Sequence, residues 1–186
     1  MHFTLGDLIA DITQNAAESG ARQVELDVRE TAGGTEEFRF TVKDNGRGMD
    51  KAALERAVDP FVTDGVKHPG RKVGLGIPFL IQTALQSGGG WDIKSDQGQG
   101  TTVSAWFDLA NVDTPPLGDI PGLFRTALLF SGPDEIIIRR LLERGGKKRE
   151  YEIKKTELTE ALGGLEDAAS LILLGKYLHS FEEEEL

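Results

Sequence analysis

The chain has no cysteine. Disulfides, thiolate metal sites and cysteine nucleophiles are therefore excluded, and the redox chemistry fits a cytoplasmic protein. No run of roughly 18 apolar residues occurs, so no helix is expected to span a membrane. The N-terminus "MHFTLGDLIADITQNA" lacks a basic region, an apolar core and a small-residue cleavage site, and so does not read as a signal peptide. Positive charge is also short. Lys and Arg total 21 against 31 Asp and Glu, a formal net charge of −10. No broad positive field is available to attract nucleic acid or an anionic membrane, although a small basic phosphate site remains compatible with that balance. Histidines number three, His2, His68 and His179.

What is present is ordered from the N-terminus by its periodicity. Leu5, Leu8, Ile9, Ile12 and Ala16 recur at helical spacing over 5–18, with Thr4 or Asp7 as cap and Gly20 as stop. "VELDVRE" (24–30) and "FRFTV" (38–42) alternate, and Gly33-Gly34 between them predicts a hairpin. "DKAALERAV" (50–58) is a short helix capped by Asp50, and 60–73 is a loop. "IPFLIQTALQS" (77–87) is a helix with Pro78 in its first turn and Leu80, Ile81, Ala84 and Leu85 as the buried stripe. "WDIKS" and "TTVSAWFDL" are strands joined by "DQGQG". The composition break at 111–117 reads as a linker between a first domain, 1–110, and a small α/β extension, 118–186. In the extension, "IPGLFRTALLF" is a helix, "EIIIRRLLE" and "KREYEI" are strands, and one or two helices follow. The closing "EEEEL" reads as a solvated tail, and the extension as a cap that stabilises the first domain, with a partner or dimer contact as the alternative.

Four pieces carry candidate chemistry. Asp11 and Asn15 stand four apart on one side of the first helix, at the border of its apolar stripe. An Asn oxygen suits Mg²⁺ or a held water, and a carboxylate beside it can orient a water. The second strand ends in Asp44-Asn45-Gly46-Arg47-Gly48 and a helix follows. As an acceptor-only group, an ionised Asp44 in a pocket would select a donor such as an exocyclic amine, with Gly46 and Gly48 letting backbone come close. The bland reading of Asn-Gly here is a turn. Gly74-Leu75-Gly76 opens a helix, whose N-terminus suits a phosphate, and Lys67, Arg71 and Lys72 stand near it in sequence. Taken alone, "GQGTT" (98–102) would pass for a hairpin turn.

In this order the four pieces resemble the GHKL ATPase superfamily, which holds the histidine-kinase catalytic domains, DNA gyrase B, the MutL proteins and a heat-shock chaperone. The likeness runs over about residues 5 to 109. It implies a Bergerat fold: an α/β (α+β) two-layer sandwich, a mixed β-sheet with helices on one face. ATP and Mg²⁺ are the implied cofactors. Asn15 matches the Asn that holds Mg²⁺, and Asp11 lies where gyrase-like members carry a longer Glu that activates water. Asp44 matches the acceptor of the adenine amine, Gly46 and Gly48 the glycines of its pocket, and Thr101 a residue near the nucleotide. "DPFVT" (59–63) is similar to the segment before the kinase lid, which would be 62–73. Gly74, Leu75 and Gly76 match the glycine box that meets the phosphates, with Arg71 and Lys72 as basic helpers. Glu18 stands where kinases carry a basic residue, and "NAAESGA" looks more like the MutL run. With no phosphoacceptor helix pair, the chain alone is expected not to be a complete histidine kinase, but the anti-sigma-factor kinases work without one. Three activities follow as expectations: phosphoryl transfer to a partner protein, nucleotide sensing as a regulatory module, or slow ATP hydrolysis with Asp11 as base.

Overall fold

A computed structural model describes residues 3–59 and 76–183. The first helix, α1 (Leu5–Ala17), starts at Thr4 in a full capping box. The Thr4 side chain accepts from the Asp7 amide, and the Asp7 carboxylate accepts in return from Thr4 N–H, so two amides lacking helical partners are satisfied together. Strands β1 (Gln23–Ala32) and β2 (Glu37–Asp44) form the expected hairpin, with Val28 opposite Phe40. Helix α2 (Lys51–Val58) is capped by the Asp50 side chain, which accepts from Ala53 N–H. Next come α3 (Gly76–Gln86), β3 (Gly90–Asp96) and β4 (Gly100–Asp108). The expected loop over 60–73 lies outside the described residues.

The second half continues with α4 (Ile120–Leu128), β5 (Glu135–Arg144), β6 (Lys147–Lys154), α5 (Lys155–Leu162) and α6 (Ala168–Glu183). All six strands join one mixed sheet in the order β3-β4-β2-β1-β5-β6. Only β1 and β5 run parallel, from Gln23 against Glu135 to Ala32 against Arg144. One apolar core lies between the sheet and the helices, so the architecture is the two-layer α+β sandwich with helices on one face. Alternate strand residues point into it: Val24, Leu26 and Val28; Phe38, Phe40 and Val42; Val103, Ala105 and Phe107; Ile136 and Ile138. Helix α1 meets them with Leu5, Leu8, Ile9 and Ile12, and α4 with Leu123, Phe124 and Ala127. The outer face is polar, with Arg139 bridging Glu25 and Glu152 at 2.7 Å each.

The composition break at 111–117 does not interrupt this core. The carbonyls of Pro116 and Leu117 accept from Leu5 and Gly6 N–H at 2.9 and 3.0 Å, so this segment closes the start of α1. Two expectations need correction. Leu85 does not belong to the buried stripe of α3: it is 60% exposed and Ile81 is only half-buried, while Leu80 and Ala84 are buried as expected and Thr83 joins them. A stripe one residue narrower suffices because the helix rests on a single edge of the layer, against α1, β3 and β4. Nor is the closing acidic run wholly solvated. Glu182, in the last turn of α6, reaches Arg140 of β5 at 3.1 Å.

That contact belongs to a buried cluster. Arg140 is only 1% exposed, yet it occupies an inward position of β5. Its guanidinium donates to Glu30 on β1 at 2.7 Å and to Glu182. Arg144 also pairs with Glu30, and the Tyr151 hydroxyl donates to Glu182 at 2.7 Å. Burial raises the Tyr151 pKa, and its bond to Glu182 raises it further, so the phenol stays protonated. The cluster ties β1, β5, β6 and the end of α6 together with charge-assisted hydrogen bonds where apolar packing would otherwise be expected.

Candidate nucleotide site

The end of β2 delivers Asp44 into a corner formed by the α1–β1 turn, β3 and β4. Asp44 is 6% exposed. Its Oδ1 accepts from Gly46 N–H at 2.8 Å and lies 3.1 Å from Ser19 Oγ. Ser19 shares its one hydroxyl proton with the Ala16 carbonyl at 2.7 Å. Among the described residues no donor bonds Oδ2, which leaves one oxygen of a fixed carboxylate for a ligand. Asn45 turns the other way: its Oδ1 accepts from Arg22 and Gln23 N–H and locks the turn to β1.

The two glycines after Asp44 are needed first by the protein itself. A Cβ on Gly46 would fall on Ser19 Oγ. Gly48 has φ +60°, and a Cβ there would fall on the Asp96 carbonyl. The loop therefore threads between the α1 turn and the β3–β4 turn at backbone distance, with Arg47 N–H on Ser19 O at 3.1 Å and Gly98 N–H on Arg47 O at 2.7 Å. Sequence reasoning assigned these glycines to a ligand and missed Ser19, whose signal was a small hydroxyl residue just past the end of α1. Gly48→Ala is expected to cost about 2 kcal/mol or more, from the left-handed backbone and the collision together, measured as a lowered urea midpoint.

Thr101 stands directly across the β2–β4 ladder from Asp44. Its Oγ1 pairs with Ser95 Oγ at 2.8 Å, and Ser95 Oγ accepts from Met49 N–H at 2.8 Å. A hydroxyl network thus lines the wall beside the carboxylate. Asp11 and Asn15 are exposed, on the solvated flank of α1 beside its apolar stripe. The reason is angular: Leu8, Ile12, Ala16 and Ile9 already fill the inward arc of α1. Gly76 opens α3 beside Asn15, and a Cβ on it would lie 3.5 Å from Asn15 Nδ2. The fold thus joins the start of α3 to the Asn15 face of α1, although 61 positions separate them in sequence. Lys67, Arg71, Lys72, Gly74 and Leu75 lie outside the described residues, as does the expected lid.

Residues 3–111 match the family described as histidine kinase-, DNA gyrase B-, and HSP90-like ATPase. The chain belongs to this ATPase family. Among curated relatives of this histidine kinase-like ATPase, a putative sensor protein of Shewanella frigidimarina is 31% identical over 109 residues, 59% of this chain and 16% of its own length. The sensor histidine kinase ZraS of Salmonella typhimurium is 29% identical over 103 residues, 55% of this chain and 21% of its own. The chain therefore spans about a fifth or less of these relatives. Among solved structures, the N-terminal domain of a DNA repair protein is similar with a TM-score of 0.51 at 13% identity, covering 90% of this chain and 58% of that one. At that identity the likeness is one of fold, and it extends past residue 111. Among the described residues, no helix is long and apolar enough to cross a membrane.

The residues present fit the family's nucleotide. Asp44 offers one unbonded carboxylate oxygen, and Asn15 and Gly76 bring an amide and a helix start together. No group of three or more His, Asp or Glu among the described residues is placed to hold a metal alone. A cation here would take Asn15 with phosphate oxygens, the arrangement Mg²⁺ favours.

Proposed function

We propose that this chain binds ATP with Mg²⁺ and passes the terminal phosphate to a partner protein. The observation that carries this reading is the fixed, nearly buried carboxylate of Asp44 with one oxygen left over. That oxygen accepts from the adenine amine, and the hydroxyls of Thr101 and Ser95 stand on the same wall. The phosphates then lie toward Gly74–Gly76, where the amides of the helix start favour negative charge. Arg71 and Lys72 neutralise that charge, and Asn15 holds Mg²⁺, which adds electrostatic stabilisation when bound. Phosphoryl transfer needs little more than such placement and charge neutralisation, so the acceptor can come from another protein.

A second reading, slow hydrolysis, is favoured by one observation. Asp11 shares the exposed flank of α1 with Asn15, one turn away, where it can orient a water. Labelled ATP separates the outcomes. Label on a co-incubated protein supports transfer. Free phosphate alone, lowered about 100-fold or more by Asp11→Asn, supports hydrolysis. Tight binding with neither product leaves a nucleotide-sensing module. Absence of ATP binding by calorimetry would end all three.

A further inference from the structure

Helices α4 and α6 pack side by side on the core, and a trough runs between their outer faces. It consists of two adjoining hollows of about 480 and 470 Å³ that share Arg125 and Leu171. Its walls carry uncovered apolar surface. Leu129 is 42% exposed and Ile172 60%. The rim carries Arg125, Lys176 and His179, and among the described residues no acidic side chain lines either hollow. In a chain with a net charge of −10 this is a local reversal of sign. Arg125 and Lys176 make no ion pair among the described residues.

Gly175 adds a second, independent observation. It sits inside the 16-residue helix α6, where glycine costs roughly 1 kcal/mol relative to alanine. Among the described residues nothing requires it: a Cβ at this position would meet no atom within 4 Å, and its φ is not in the left-handed range. Internal packing therefore gives no reason for the missing side chain. Its neighbours do. Ile172, Gly175, Lys176 and His179 follow the i, i+3, i+4, i+7 spacing of a four-residue hole that receives a knob from a facing helix. His179 Nδ1 donates to the Gly175 carbonyl at 2.8 Å, which holds the ring along α6.

We propose that the α4–α6 trough docks an amphipathic helix of a partner protein, with acidic residues flanking its apolar face. Its apolar knobs enter the trough at Gly175 and against Leu129 and Ile172, and its carboxylates meet Arg125 and Lys176. This is the helix-in-groove mode, in which spaced apolar anchors give affinity and flanking charge gives selection. Because the site lies outside the family-matched region, its test does not depend on nucleotide.

The probe is a fluorescein-labelled peptide of about 18 residues, long enough to hold a helix. Leucines stand at i, i+3/i+4, i+7, alanines between, and Glu on both flanks; a second peptide has Lys for every Glu. Fluorescence anisotropy with the full chain should show the Glu peptide binding at least about tenfold tighter than the Lys peptide. Arg125→Glu with Lys176→Glu should reverse that order. Gly175→Leu should abolish binding while leaving Tm unchanged or higher, which no merely structural role for the glycine produces. Equal affinity for both peptides, or full binding by Gly175→Leu, would overturn the proposal. So would a result in which neither peptide binds and the same substitutions instead release the protein from anionic vesicles or from a dimer seen by sedimentation. The occupant would then be a lipid surface or a second copy.

Discussion

Asp44→Asn should weaken ATP binding about 100-fold, roughly 3 kcal/mol, while the protein stays folded. The substitution keeps the shape and changes only the donor pattern. In one amide orientation the oxygen still accepts from Gly46 N–H, and the new NH₂ faces the adenine amine, donor against donor. In the other, the NH₂ faces Gly46 N–H and the same conflict moves inside the protein. Neither orientation escapes, because Ser19 and Gly46 hold the group in place. Calorimetry with ATP gives the affinity, and thermal denaturation checks the fold. Inosine triphosphate supplies the control. It has a carbonyl where ATP has the amine, so the variant should bind it no worse than the native protein does. Unchanged ATP affinity would remove Asp44 from base recognition.

Arg140→Ala should lower stability by about 3 kcal/mol, since it leaves the buried Glu30 with Arg144 as its remaining partner and Glu182 with only the Tyr151 hydroxyl. Urea denaturation measures the loss. Replacing both, Arg140→Met with Glu30→Leu, should recover most of it, because the two most buried charges of the cluster are then removed together and apolar side chains fill their place. The same cluster sets an acid limit. Burial alone would raise the Glu30 carboxyl, but its bonds to Arg144 and Arg140 outweigh this and hold it below its ordinary value of 4.5. A group whose folded pKa is depressed contributes stability above its unfolded pKa and loses it as pH falls through the folded one. The native protein should therefore lose stability steadily as pH drops below about 4.5. The doubly replaced protein should show a shallower loss over that window.

The parts of this fold written locally were legible. Alternation gave the hairpin β1–β2, Thr4 and Asp50 marked two helix starts, and the Gly145-Gly146 turn separated β5 from β6. The mixed sheet with one helical layer was expected from the family resemblance rather than from these local signals. What local pattern does not carry is who sits beside whom. Nothing in "EIIIRRLLE" says that it lies parallel to β1, because strand neighbours at long sequence separation leave no period. Arg140 is accounted for only by Glu30, two places along the neighbouring strand from its own ladder partner Val28. The final acids looked like a tail for the same reason. At the candidate site, Asp44, Asn15 and Gly76 were singled out by type and spacing. Ser19, which fixes the carboxylate, carried only a weak signal, since a serine after a helix usually reads as a turn.

The parallel seam between β1 and β5 also bears on how the chain is made. Glu25 and Arg139, bonded across it, are 114 residues apart in sequence. At ordinary ribosomal rates, roughly 6–20 s pass between the synthesis of the two. Throughout that interval β1 can pair with β2 on one side only, and its other edge is an open template for foreign strands. The nascent protein is thus most exposed to misassembly just before its last third emerges, and a ribosome stall before β5 should yield aggregates rather than a quiet intermediate.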